Sequence, residues 1–251
     1  MAKDFIIEQL KKEFKDRETF SREELYRFYC KYDSNLKETT FRWRVYELKE
    51  KRIITPLSKG LFSFNYKPIY RPEIGENEKK TYEKINKQFP TIKHSIWSTR
   101  IINEFMLHQP GRYVTILEVE INALEPVFHF LKDINVSNVF FQPKEIEIER
   151  YVFEAESAIV LNSLITKAPI QKIKKISTIT IEKLIVDIFC DPILFNAFQG
   201  SELANIINNA YHHYTINFTK LFSYAKRRRK EDDLMEYLSQ QTEIPQSIFN
   251  D

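Results

Sequence analysis

The chain is poor in glycine and lacks the short motifs on which many enzymes depend. Only four glycines occur among 251 residues, which leaves little room for the glycine-rich loops that cradle nucleotide phosphates. No Walker loop, GxSxG elbow or HExxH zinc motif occurs. We therefore expect a non-enzymatic protein that needs no cofactor.

Cysteine and long apolar runs are also scarce. The two cysteines, Cys30 and Cys190, lie in different predicted domains within apolar helix patterns, which favours free thiols over a disulfide or a metal site. No apolar run approaches the ~20 residues that cross a bilayer, and the N-terminus lacks the apolar core of a signal peptide. We expect a cytoplasmic protein with no bound metal and no membrane partner.

Residues Thr19–Phe64 carry the signals of a helix-turn-helix in order. Ser21 and Glu24 form a capping box, in which each side chain satisfies a backbone donor at a helix start. The apolar stripe of this helix is Leu25, Phe28, Tyr29 and Tyr32. After a polar turn, we expect Asn35 and Glu38 to cap a second helix. Its inward stripe is Phe41, Val45 and Leu48.

Two short strands follow the second helix. They are Ile53–Leu57 and Leu61–Phe64, joined by a turn that contains Gly60. Helix, turn, helix and hairpin is the order of a winged helix-turn-helix, a module that usually reads duplex DNA. The sequence therefore predicts a winged DNA-binding domain over residues 1–66.

The outer face of the second helix suits the major groove of DNA. Small polar and aromatic side chains there would face base edges, while the cations beside them and on the hairpin would reach phosphates. The predicted DNA contacts are Thr39, Thr40, Arg42, Trp43 and Arg44 on the helix, with Arg52 and Lys59 on the hairpin. The alternative is a three-helix module that packs against protein.

The distribution of charge favours DNA over protein as the partner. Residues 1–66 hold 15 Lys and Arg against 11 Asp and Glu, whereas residues 67–251 hold 23 against 24. The excess positive charge of the chain therefore lies in the predicted DNA-binding domain, as a polyanionic partner requires.

The rest of the chain is predicted to form a second domain, so the fold class is α+β. Residues 67–90 form a linker with two prolines and a polar connecting helix over Glu76–Phe89. Residues 91–251 form an α/β domain with a helical C-terminal part. The predicted elements of that domain are strand Ile92–Trp97, helix Thr99–Leu107, strand Tyr113–Val119, helix Leu124–Leu131, strands Val139–Phe141, Ile146–Phe153 and Ala158–Leu164, and, after Pro169, helices Ile181–Phe189, Leu194–Asn209, Phe218–Arg228 and Glu231–Leu238.

Two features of the second domain leave alternatives open. Glu118 and Glu120 share one strand face, and Lys144 with Glu145 follows the next strand, which loosely resembles a metal-dependent nuclease. Acids at alternate strand positions are more often a solvent-facing surface.

The basic run Lys226, Arg227, Arg228, Arg229 and Lys230 is either a solvated helix end or a surface for RNA or an acidic partner.

Three segments resemble AbiEi-type antitoxins, the antitoxin halves of abortive-infection, type IV toxin–antitoxin pairs. These segments are Trp97–Phe105, Thr180–Asp187 and Leu221–Lys226, and they follow the predicted winged domain in the same order. A Ser-Pro pair is usual before the Glu-Lys of the second segment, and here Thr180-Ile181 takes its place.

The resemblance implies a function for each domain. It implies that the winged domain represses the promoter of its own operon through double-stranded DNA, and that the second domain counteracts a nucleotidyltransferase-like toxin encoded beside it. Two rivals stay open, namely a phage-defence nuclease that uses the winged domain for targeting and a stand-alone transcriptional regulator.

Overall fold

In the computed structural model of the chain, the described residues up to position 64 form helices around a small antiparallel sheet. The structure describes residues 2–14, 17–64 and 66–249. The elements of this first unit are α1 (Ala2–Glu13), β1 (Phe20–Ser21), α2 (Arg22–Cys30), α3 (Glu38–Glu50), β2 (Thr55–Ser58) and β3 (Leu61–Ser63). Strand β3 lies between β1 and β2 and is antiparallel to both.

The start of α2 is as predicted, whereas the start of α3 is not. The Ser21 hydroxyl accepts a hydrogen bond from the Glu24 amide at 3.1 Å, and the Glu24 carboxylate accepts one from the Ser21 amide at 2.8 Å. Helix α3 has Lys37 at its N-cap and no side-chain cap, so the predicted cap at Asn35 is wrong. The reason is Leu36, which is buried and whose carbonyl accepts from the Tyr26 hydroxyl, so the chain turns inward before the helix begins.

An aromatic-rich core holds this unit together. Phe14 and Phe20 have ring centroids 4.8 Å apart, a distance at which offset rings attract each other. The inward stripe of α3 is buried as predicted, and Cys30 is a half-buried free thiol. The buried apolar residues are Leu10, Phe14, Phe20, Leu25, Phe28, Tyr29, Leu36, Phe41, Val45, Leu48, Ile54 and Phe62.

The second unit is a mixed α/β assembly with a helical end, which confirms an α+β fold for the chain. Its helices and strands are α4 (Glu76–Gln88), β4 (His94–Ser98), β5 (Thr115–Val119), α5 (Leu124–Asp133), β6 (Val139–Phe141), α6 (Glu145–Glu147), β7 (Ile159–Ser163), β8 (Ile170–Ile173), β9 (Ile176–Ile179), α7 (Ile181–Cys190), α8 (Ser201–His213), α9 (Phe218–Arg227) and α10 (Glu231–Gln241). Short 3₁₀ helices cover Thr99–Phe105, Ile121–Ala123, Asn196–Phe198 and Gln246–Ile248, and a π-helical turn covers Ile148–Val152.

A four-stranded sheet forms the centre of this unit, in the order β4-β5-β7-β6. Strands β4 and β5 are antiparallel, while β5, β7 and β6 run parallel. One face of the sheet packs with Ile96 and Leu117 against α4 and α5. The other face packs with Trp97, Ile116 and Val160 against α7, α8 and α9.

Three predictions for this unit were wrong. Residues Ile146–Phe153 are helical, because Ile148 and Val152 lie four positions apart and are both buried on one helical face. The segment after Pro169 forms the hairpin β8–β9 before α7. Gly200 has a φ of +66° and breaks the predicted helix Leu194–Asn209, so that α8 begins only at residue 201.

Residues 66–75 contain no helix or strand but are packed against the second unit. Tyr70 is 1% exposed, and its ring lies 5.5 Å from that of Phe105 and 5.0 Å from that of Tyr214. The Pro68 carbonyl accepts a hydrogen bond from the Thr215 amide at 2.9 Å. Over the described ranges, no helix has the length and apolar character to cross a membrane.

Candidate nucleic-acid interface

Helix α3 presents an outer face made of small polar and aromatic side chains. With Phe41, Val45 and Leu48 buried, the helical period leaves Thr39, Thr40 and Trp43 on the opposite side. All three side chains are exposed, and Trp43 has 61% of its surface accessible to solvent. The structure therefore brings these three predicted DNA contacts together on one surface.

Tyr46 belongs to the same surface, although the sequence analysis missed it. It lies three residues after Trp43, which places both on one side of the helix. The two rings are stacked, with centroids 5.5 Å apart and an angle of 27° between their planes. Tyr46 is 49% exposed. The helical spacing from Trp43 was the signal that would have identified it.

The two arginines of α3 have different environments. Arg42 is 71% exposed, and its Nε donates to the Glu38 carboxylate at 3.3 Å. Arg44 donates to the Asp33 carboxylate at 2.9 Å, and its guanidinium lies 5.1 Å from the centre of the Tyr29 ring. Arg42 is thus available beside the outer face, whereas Arg44 is held at the junction of α2 and α3.

Arg22 connects the start of α3 with the hairpin turn, defined here as Ser58–Gly60. Its guanidinium donates to the Glu38 carboxylate at 2.5 Å, and its amide donates to the Gly60 carbonyl at 2.6 Å. The pKa of Glu38 is held below its usual value by the hydrogen bond from Arg22 and by that from Arg42. The hairpin turn therefore lies close to the first turn of α3.

The remaining two predicted phosphate contacts, Lys59 and Arg52, lie near opposite ends of α3. The Lys59 side chain is exposed on the hairpin turn, and its amide donates to the Thr219 hydroxyl of α9 at 3.1 Å. Arg52 follows the last turn of α3 and packs 5.4 Å from the Tyr66 ring centre. Since the 13 residues of α3 span about 20 Å, Arg52 is far from the hairpin turn.

The second unit contains a buried ion cluster that joins β5 to α7 and α9. Lys183 is 0% exposed and donates to the carboxylates of Glu118, at 2.8 Å, and Asp187. Glu118 also accepts from the Ser95 hydroxyl at 3.0 Å. The other Asp187 oxygen accepts from the Tyr224 hydroxyl at 2.8 Å and from the guanidinium of Arg228, at 3.2 Å.

The charges within this cluster cancel, because the two carboxylates of Glu118 and Asp187 face the two cations of Lys183 and Arg228. Burial raises the pKa of Glu118, and the charge of Lys183 opposes this rise. Burial alone would lower the pKa of Lys183, but the carboxylates of Asp187 and Glu118 raise it above its usual value. Lys183 is therefore held in its charged form inside the protein.

The cluster corrects one interpretation of the sequence. Glu118 does not face solvent, since it is buried and bonded to Lys183. Glu120 lies beyond the end of β5, and Lys144 and Glu145 stand at the start of α6. In the parts of the chain that the structure describes, no group of three His, Cys, Asp or Glu side chains has a geometry that could hold a metal ion.

The basic run does not form a uniform surface. Arg228 is half-buried and belongs to the ion cluster, while Arg227 donates to the Thr166 hydroxyl at 3.0 Å. Lys226 lies 3.4 Å from the Glu231 carboxylate, and Lys230 lies 2.6 Å from that of Asp233. Arg229 is exposed at a φ of +57°. Most of these cations therefore have partners within the chain.

A cleft of about 910 Å³ lies at the end of the central sheet where β4 stops and β5 begins. Charged side chains of both signs line it, including Glu78, Lys84, Arg100 and Arg112. The Glu78 carboxylate accepts from the Thr115 hydroxyl at 2.9 Å. The mixed charge gives the cleft no preference for an anion or a cation.

Residues 40–244 match a family described as a family of unknown function, DUF6577. The chain belongs to this family. The matched range covers most of the chain, from the first turn of α3 to the segment after α10. No curated protein matches the sequence.

Proposed function

We propose that the first unit is a winged helix-turn-helix that binds duplex DNA, with α3 as its recognition helix. The observation that carries this proposal is the outer face of α3, where Thr39, Thr40, Trp43 and Tyr46 are exposed beside Arg42. The major groove of DNA is wide enough to admit an α-helix, with side chains such as threonine at base edges and guanidinium groups at phosphates.

The order of elements and the charge support the same proposal. The order α1-β1-α2-α3-β2-β3, with α3 directly before a hairpin, is the order of winged DNA-binding domains. The net charge of residues 1–66 is positive, while that of the rest is slightly negative. A DNA-binding surface needs this local excess, because phosphate neutralisation supplies much of the affinity.

We further propose that the chain is a cytoplasmic antitoxin and autoregulator of the AbiEi kind, acting against a nucleotidyltransferase-like toxin. This part rests on the resemblance of three segments. Two of them are in contact, since Asp187 of Thr180–Asp187 accepts from Tyr224 of Leu221–Lys226. The segments that resemble AbiEi-type antitoxins therefore contain side chains that hold the second unit together. This supports the proposal that the second unit has the architecture of those antitoxins.

A salt titration tests the DNA-binding part. Arg42→Ala with Lys59→Ala should weaken binding to any duplex and reduce the slope of log affinity against log salt by about 0.9 for each lost phosphate contact. The matched control is Lys87→Ala with Lys172→Ala, which removes two exposed cations of the second unit. Equal affinity and slope for the two variants in a gel-shift series would contradict the proposal.

A growth assay tests the antitoxin part separately. The full chain is expressed with the product of the adjacent reading frame, and the Arg42→Ala, Lys59→Ala variant is compared with the unaltered chain. We expect both to restore growth, while only the unaltered chain represses the promoter. If neither restores growth although both are folded, the antitoxin assignment is wrong and the DNA-binding proposal is unaffected.

A further inference from the structure

The outer face of α3 is more aromatic and less charged than a helix that only grips phosphates. Arg44 is withdrawn to Asp33 and Tyr29, and Arg42 lies beside Glu38. The centre of the face is instead the stacked pair of Trp43 and Tyr46, both about half exposed. This aromatic pair lies in the middle two turns of a helix that runs from residue 38 to residue 50.

An apolar surface at this position has one kind of partner on DNA. Base pairs show hydrogen-bond donors and acceptors in the major groove, and the only apolar group among them is the C5 methyl of thymine. The hydroxyls of Thr39 and Thr40, on the same face, can bond to several bases and so discriminate less. The aromatic pair can therefore distinguish thymine from the other bases, which the threonine hydroxyls do less well.

We propose that Trp43 and Tyr46 determine sequence specificity by packing against thymine methyl groups in the major groove. This inference rests on the proposed DNA-binding function and deepens it. The occupant is DNA because residues 1–66 hold 15 Lys and Arg against 11 Asp and Glu. Of these cations, Arg42 is exposed next in sequence to Trp43, and Lys59 is exposed on the hairpin turn near the start of α3. A protein ligand that covered two stacked aromatic rings would not require this positive charge.

The experiment uses uracil, which lacks the methyl group but keeps every hydrogen-bonding group of thymine. A duplex is first selected from a random-sequence pool with the full-length chain, and each thymine is then replaced by uracil in turn. Since a buried methyl-sized group contributes about 0.8 kcal/mol, replacement at a contacted thymine should weaken binding about fourfold. Positions outside the contact should show no change.

Variants identify the residues that read the methyl group. In Trp43→Ala with Tyr46→Ala, the ratio of thymine to uracil affinity should fall to about one at the sensitive positions. The matched control is Tyr151→Ala, which removes another exposed aromatic ring from the second unit and should keep the fourfold ratio. Both altered side chains of α3 are largely exposed, and a thermal unfolding curve verifies that the variant is folded.

Each other outcome overturns the inference in a distinguishable way. If no duplex is enriched, the DNA-binding proposal itself fails. If a duplex is enriched but uracil has no effect, only the methyl contact is wrong. If the uracil effect persists without Trp43 and Tyr46, other residues read the methyl group. If the variant binds the selected duplex as well as the unaltered chain, the aromatic pair serves a protein contact instead.

Discussion

Removing the buried lysine should cost far more stability than removing a lysine from the surface. Lys183→Met keeps the length of the side chain but leaves Glu118 with one neutral partner, the Ser95 hydroxyl. Asp187 keeps Tyr224 and Arg228, so Glu118 becomes the uncompensated charge.

The expected loss can be stated as a free energy of unfolding. Breaking a buried ion pair by deleting one partner costs about 3–5 kcal/mol. For a chain of this size, each kcal/mol lowers the midpoint of thermal unfolding by about 2–4 °C, so the midpoint should fall by ~6–20 °C. Urea unfolding followed by circular dichroism, together with calorimetry, measures both quantities.

Two further variants make the reasoning refutable. Adding Glu118→Gln to Lys183→Met should restore part of the lost stability, because it removes the uncompensated charge. Lys87→Met removes an exposed helical lysine and should stay within about 0.5 kcal/mol of the unaltered chain. If Lys183→Met and Lys87→Met unfold alike, or if Glu118→Gln restores nothing, the cluster does not stabilise the fold in the way described.

Two more predictions follow from named contacts. The hydrogen bond from the Ser21 amide holds the pKa of Glu24 below the usual 4.5. The stability that this hydrogen bond contributes is therefore present above pH 4.5 and is lost as the pH falls through the lowered pKa. Glu24→Gln should weaken the acid dependence of unfolding, and an unchanged pH profile would contradict this. Within the basic run, Arg228→Ala should cost about 1–3 kcal/mol because its partner is buried, whereas Arg227→Ala should cost within about 0.5 kcal/mol; equal unfolding midpoints would show that Arg228 is only a surface cation.

Local patterns predicted many of the elements well. The capping box at Ser21 and the strand Val139–Phe141 are where the sequence placed them. Helix α4 was expected over Glu76–Phe89 and ends one residue earlier. These features depend on neighbouring residues, so spacing alone identifies them.

The elements that were missed depend on contacts between distant residues or on unusual turns. The turn of hairpin β8–β9 is Lys174-Lys175, both with positive φ, where Asn-Gly would have been the recognisable signal. The ion cluster joins Glu118 to Lys183, which are 65 positions apart. Lys183 and Asp187 are four residues apart, a spacing that also describes an exposed helical pair, so the sequence could not show that they are buried.

The contact between the hairpin turn and α9 limits how the chain can be divided. Leu57, on the strand that leads into this turn, is 7% exposed because it joins the apolar core of the second unit. Cutting the chain after residue 64 would leave this side chain, and the face of α9 that covers it, in water. A fragment that ends at residue 64 would therefore expose a hydrophobic patch that is buried in the intact chain. Self-association of the fragment through this patch could be mistaken for a property of the intact protein.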